Sequence, residues 1–133
     1  MKTIHAAEVV AEGGRDGKVE TPSGSFSAEL STAETENAVT PEHLFIGAYS
    51  ACFLGALKNA AETAHHDTDG FGVTGICLLE EEDNGGYRLR VTLRASMPGV
   101  DEKDAQRLLQ RAHETCPYSK ATRGNITVDL ETD

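Results

Sequence analysis

Residues 40–66 read TPEHLFIGAYSACFLGALKNAAETAHH, and this stretch decides the fold. It predicts one long helix over 41–64. Thr40 is a good N-cap, and Pro41 suits the first turn, where its missing N–H would have no intrahelical partner in any case. Leu44, Phe45, Ile46, Ala48, Tyr49, Ala51, Phe53, Leu54, Ala56 and Leu57 fall on every side of that helix instead of along one stripe, so every side must be covered. The 14 residues from Leu44 to Leu57 carry no charge, yet a membrane span needs about 20 apolar residues, so this is a buried core helix. At about 1.5 Å per residue it would reach roughly 36 Å, long for the core of so small a chain, which implies that a second subunit helps to cover it. Gly47 and Gly55 each cost about 1 kcal/mol against Ala in a helix interior; close backbone packing would account for them, as would ordinary tolerance.

The whole chain has 133 residues, so one domain spanning 1–133 is expected, large enough to fold without disulfides. Twelve Lys and Arg against 22 Asp and Glu give a net charge of -10, which repels nucleic-acid phosphates and acidic membrane surfaces and argues against both as partners. The opening MKTIHAAEVVAEGG holds no apolar run of signal-peptide length, and the expectation is a cytoplasmic protein. In a reducing compartment its three cysteines, an odd count, should be thiols that are buried, metal-bound or redox-active.

Outward from the helix, Ile4 to Ala11 and Lys18 to Thr21 predict short strands joined by the turn GGRDG, with Arg15 at its tip. Ser25 to Leu30 alternates as a half-buried strand, and STAETENAV at 31–39 forms the loop into the helix. Beyond the helix, His65 and His66 point about 100° apart on a helix and lack HxxxH or CxxC spacing, which weighs against a metal. Phe71 to Glu81 and Tyr87 to Ser96 predict a second hairpin around Asp83-Asn84-Gly85-Gly86, with Cys77 in its first strand as a small apolar residue. Asp101 caps a second helix running to about Thr115, on which Ala105, Leu108, Leu109, Ala112 and Cys116 form one apolar stripe, and Pro117 stops it. Asn125 to Glu131 alternates as an edge or closing strand.

Two cysteines thus face inward from helices, and neither position favours a thiolate unaided. Cys116, at a helix C-terminus, meets the negative end of the dipole and should be the poorer nucleophile. Cys52, mid-helix among apolar residues, is pushed toward the neutral thiol by desolvation and needs a cation. Arg15, displayed on a glycine-rich turn, is the candidate, although an arginine on such a turn is more commonly a solvated residue. A buried arginine needs a carboxylate, and Glu42 in the first helical turn is available for that or for its own helix dipole. Ten residues separate Glu42 from Cys52, about 15 Å along a helix, so the two can share a site only across a dimer or through a broken helix.

GGRDGKV at 13–19, PEHLFIGAYSACFLGALK at 41–58 and HETCPYSKATRGNITVDL at 113–130 together resemble, in order, the motif blocks of the Ohr/OsmC family, and within it the organic hydroperoxide resistance branch. The resemblance implies an α+β fold, an OsmC-like intertwined homodimer with a long central buried helix per chain wrapped by antiparallel strands from both subunits. It also implies a thiol-dependent peroxidase: Cys52 matches the peroxidatic cysteine, Cys116 the resolving one, and Arg15 and Glu42 the residues that activate the thiolate. The cycle so implied leaves a Cys52-Cys116 disulfide reopened by an external dithiol, dihydrolipoamide or a lipoylated protein, with no bound metal or cofactor. A site lined by Phe45 and Phe53 would favour alkyl or fatty-acid hydroperoxides over hydrogen peroxide, because hydrophobic transfer favours only the larger ligand. Two departures stand out: STAETENAV replaces the glycine-rich loop usual before PEQLF, which bears on the site entrance, and His43 stands where Gln is common. The alternatives from other classes are an OsmC-like binding or metal-binding dimer and an inert structural dimer.

Overall fold

The structure, a computed structural model, describes all residues 1–133 and falls into two compact units, Met1–Leu44 and Phe45–Asp133, with the division inside the first turns of the long helix. The first unit is a three-stranded antiparallel meander, β1 (Val10–Glu12), β2 (Lys18–Glu20) and β3 (Ser27–Glu29), in that order. The strand expected over 4–11 begins only at Val10. Its partner β2 is confined between Gly17 and the Thr21-Pro22 turn, and a proline cannot continue the ladder, so β1 has three residues to pair with and no more. A single 3-10 turn, Gly14–Asp16, joins β1 to β2. Gly17 closes it because a Cβ there would collide with the Glu12 carbonyl, and Gly13 opens it at φ 78.

The long helix, α1, runs Pro41–Thr63. Thr40 and His43 form a capping box in which His43 takes the place usually held by Glu or Gln. The Thr40 N–H donates to His43 Nδ1 at 3.0 Å, and the His43 N–H reaches the Thr40 hydroxyl at 3.4 Å. At the other end the His65 N–H donates to the Glu62 carbonyl and the His66 N–H to the Ala61 carbonyl, with His65 at φ 65. That is a Schellman stop, with His65 in the left-handed position usually taken by glycine.

In the second unit β4 (Gly72–Glu81) and β5 (Tyr87–Ser96) form the expected hairpin, paired antiparallel from Gly72↔Ser96 to Glu81↔Tyr87. The closing strand β6 (Val128–Thr132) lies parallel to β5, from Val91↔Val128 to Ala95↔Thr132, so this sheet is mixed and departs from the all-antiparallel expectation. A parallel neighbour requires a crossover, which α2 (Glu102–Thr115) and α3 (Pro117–Thr122) supply. Asp101 caps α2 by accepting from the Asp104 N–H at 2.8 Å. Pro117 ends α2 as expected but also begins α3, a helix absent from the sequence reading, because proline is favoured at the first helical position.

The core of this unit is one cluster: Tyr49, Phe53, Leu57 and Ala61 from α1, Val91, Leu93 and Ala95 from β5, and Ala105, Leu108, Leu109, Ala112 and Cys116 from α2 and its end. The α1 residues recur every four, so the chain covers one stripe of a helix that is apolar all round. On another face Gly47, Ala48, Ala51 and Gly55 are exposed. By length and composition α1 could cross a bilayer, but its buried stripe is built into this core and Lys58 and Glu62 interrupt its polar end. Where α1 lies against β4, Gly75 leaves room: a Cβ there would run into Ser50 Oγ and the Ile46 side chain.

Candidate functional site

Each unit holds one half of the sequence-predicted site. In the first, the 3-10 turn presents Arg15, whose Nη2 donates to both carboxylate oxygens of Glu42 at 2.5 Å. Asp16 steadies the turn by accepting from both the N–H and the hydroxyl of Thr32, at 2.8 and 2.9 Å. The Arg15 hydrogen bond is the largest influence holding the Glu42 carboxyl below its ordinary value, and the Thr32 N–H does the same for Asp16. The pairing forms within one chain, between a turn and a helix start far apart in sequence, and leaves Arg15 half exposed.

In the second unit α1 presents Cys52 and the α2–α3 junction presents Cys116, with their sulfurs 3.5 Å apart. Burial is the largest influence on the Cys52 thiol and pushes it above its ordinary value; the neighbouring Cys116 thiol pushes further, and the backbone N–H of Tyr118 acts the other way. Tyr118 stands at the second position of α3, where an N–H has no partner within its own helix. The junction also changes the reading of Cys116. It stands at the end of α2 and the beginning of α3 together, so the α2 dipole alone no longer describes its surroundings. Cys116 is fully buried, whereas Cys52 is partly open.

The two phenylalanines separate. Phe53 is fully buried in the core between Tyr49 and Leu57 on the α1 stripe, and it offers no surface to a ligand in this chain. Phe45 is half-buried, its ring edge-on to Tyr49 with centroids 6.2 Å apart. Cys77 lies half-buried opposite Val91 in the hairpin, against the core. No three side chains among His, Cys, Asp and Glu converge closely enough to hold a metal ion. Sequence reasoning missed the Tyr118 N–H and the hydroxyl groups behind it, Tyr49, Ser119 and Thr122; the signal was available in Pro117, read as a stop when it is also a start.

The OsmC-like protein family model matches residues 33–131, which include Glu42, Cys52 and Cys116. The chain belongs to the OsmC-like protein family. Within that family it is similar to the organic hydroperoxide resistance proteins OhrB and OhrA of Bacillus subtilis, 37% identical over 96% of this chain and 97% of OhrB, and 38% identical over 96% of this chain and 95% of OhrA. The crystal structure of an organic hydroperoxide resistance protein from Elizabethkingia anophelis, 38% identical, superposes with a TM-score of 0.91 over 100% of this chain and 99% of that one. The α+β architecture of this family member is thus that of the organic hydroperoxide resistance proteins. Arg15 lies outside the residues that the family model matches but inside the span of the full-length relatives.

Proposed function

We propose that the protein is a cytoplasmic organic hydroperoxide reductase that works through Cys52 and Cys116. The Cys52 thiolate attacks one oxygen of the hydroperoxide; the O–O bond breaks, the alkoxide takes a proton and leaves as the alcohol, and Cys52 is oxidised to a sulfenic acid. The Cys116 sulfur then attacks the Cys52 sulfur, water leaves, and a disulfide joins the two. An external dithiol, a dihydrolipoyl group on a small molecule or a protein, reopens it by exchange. The observation that carries this reading is the 3.5 Å between the two sulfurs, since a disulfide at about 2.05 Å needs only a small closing movement.

Arg15, oriented by Glu42, is the cation for the thiolate, and Phe45 is a wall of the hydroperoxide pocket. Glu42 and Cys52 stand on the same helix ten residues apart, so the activating pair acts on Cys52 across a homodimer. Burial of Cys116 supports one direction of reduction, in which the incoming dithiol attacks the Cys52 sulfur and Cys116 leaves as the thiolate.

The deciding experiment supplies cumene hydroperoxide with either dihydrolipoamide or thioredoxin to the wild type and to Cys52→Ser. Turnover with dihydrolipoamide, abolished by the substitution, is expected. Turnover with thioredoxin alone would keep the thiol chemistry and refute the lipoyl reductant, and no consumption with either would refute the peroxidase. Comparable rate constants for hydrogen peroxide and cumene hydroperoxide would remove the apolar pocket from the proposal.

A further inference from the structure

Only two polar residues of this chain are buried, Ser119 at 0% and Thr122 at 6% exposure, and both face the same group. The Tyr49 hydroxyl lies 2.8 Å from Ser119 Oγ and 3.1 Å from Thr122 Oγ1, and the Thr122 hydroxyl donates to the Ser119 carbonyl at 3.3 Å. One arrangement uses all three protons: Ser119 donates to Tyr49, Tyr49 to Thr122, and Thr122 to the carbonyl. The Tyr118 ring leans on the Tyr49 ring with centroids 6.0 Å apart.

These hydroxyls sit where the chemistry needs something held. Tyr49 precedes Cys52 by one turn of α1, and Ser119 follows Cys116 by one turn, so the hydroxyl contact and the thiol contact are successive rungs between the same two segments. A helix of six residues has little stability of its own. Of those six, Pro117, Tyr118, Lys120 and Ala121 are exposed, leaving Ser119 and Thr122 as the only residues that bury α3. Helix α3 is therefore seated by hydrogen bonds to one phenol and hardly at all by apolar burial.

We propose that Tyr49, with Ser119 and Thr122, is a latch that seats α3 and so decides the fate of oxidised Cys52. This rests on the thiol-peroxidase reading above. The sulfenic acid has two outcomes. With Cys116 in place the two sulfurs join and water leaves; with Cys116 displaced, a second organic hydroperoxide transfers an oxygen, giving the alcohol and a Cys52 sulfinic acid that no dithiol reduces. The proportion follows the fraction of time that α3 is seated, because a held thiol competes as an intramolecular nucleophile. Tyr49 is a positioning residue in this scheme and touches no substrate. The same seating aims the Tyr118 N–H at Cys52.

The test is Tyr49→Phe, which keeps the ring in the core and removes only the hydroxyl, beside the double variant Ser119→Ala/Thr122→Val, which removes the partners instead. Hydrogen exchange by NMR on the reduced protein reads the seating without any chemistry: the Lys120 and Arg123 amides, bonded to the Cys116 and Ser119 carbonyls, should exchange at least about tenfold faster while amides in the middle of α2 keep their protection. Mass spectrometry after graded cumene hydroperoxide reads the outcome: sulfinic Cys52 should appear at several-fold lower peroxide than in the wild type, in both variants. Destabilisation of the whole molecule cannot mimic that combination, because it would speed exchange in the middle of α2 as well. Wild-type exchange at Lys120 and Arg123 in both variants, or an unchanged sulfinic fraction in a wild type and variants that all turn over, overturns the latch alone. A wild type that neither consumes hydroperoxide nor forms the disulfide overturns the peroxidase reading and the partition with it, and the exchange rates still report whether the phenol seats α3.

Discussion

Cys52 is surrounded, in its own unit, by influences that favour the thiol: burial first, then Cys116, opposed only by one backbone N–H. A thiol left to those surroundings ionises above its ordinary value of 9.0 and is a poor nucleophile at neutral pH. If Arg15 supplies the missing cation, the sign is fixed, because a partner for the ionised form lowers the pKa of an acid and extends the thiolate to lower pH. Iodoacetamide modification of Cys52 against pH, followed by peptide mass, should therefore show a midpoint that rises in Arg15→Ala. An unmoved midpoint removes Arg15 from the site. Glu42 reports on the same pair from the acid side. Arg15 holds its carboxyl below the ordinary 4.5, so the pair is complete above that value and its contribution to stability is lost as pH falls through the depressed one. Exposure orders the two thiols as well: Cys52 should be alkylated well before the buried Cys116, and the reverse order would contradict the direction of reduction proposed above.

At the scale of elements, the long helix, both hairpins and α2 were legible because each is announced by a local device: Thr40-Pro41, the glycine turns, Asp101, and clean alternation in Tyr87 to Ser96. What was not legible had a non-local or two-sided cause. Alternation over Val128–Thr132 reveals a strand but not its direction, which depends on the crossover through α2 and α3. Pro117 carries a stop and a start in one residue. Ile4 and its neighbours are β-prone, yet pairing is limited by a partner strand of three residues. The cysteines were singled out from the sequence, but the Tyr49, Ser119 and Thr122 hydroxyls behind them look like ordinary residues until α3 is in place. Two element-level predictions follow from close contacts. Gly75→Ala forces Ile46 and Ser50 away from β4 and should lower stability by about 1–3 kcal/mol, read from the urea midpoint at constant slope. His43→Ala removes the acceptor for the Thr40 N–H and should cost about 0.5–2 kcal/mol, whereas His43→Gln, which restores a capping-box acceptor, should cost less; equal losses would rule the box out.

The whole molecule leaves apolar surface that one chain does not cover. The first unit buries only Leu30 and exposes Ile4, Val10 and Phe26, too little core for three short strands to stand by themselves. On α1, Gly47, Ala51 and Gly55 recur every four residues and form one exposed face, and nothing lies within 4 Å of a Cβ placed at Gly47 or Gly55. Small residues in such a row let two helix backbones approach closely, which accounts for glycines that otherwise cost helix stability. The proposed homodimer puts the same helix of a second copy there, and Gly55→Glu separates that assembly from a solvated face. In an isolated chain the substitution meets open space and replaces a poor helix former with a good one, so it should leave stability unchanged or raise it by about 1 kcal/mol. In the dimer it drives a carboxylate into a close helix contact without a partner charge, at a cost of several kcal/mol. The wild type should sediment at about twice its 14.2 kDa. Gly55→Glu should shift toward the single-chain mass with a lower melting temperature. A wild type that sediments as one folded chain, or a Gly55→Glu protein that is more stable and sediments unchanged, means that this face meets water and overturns the helix contact proposed for it.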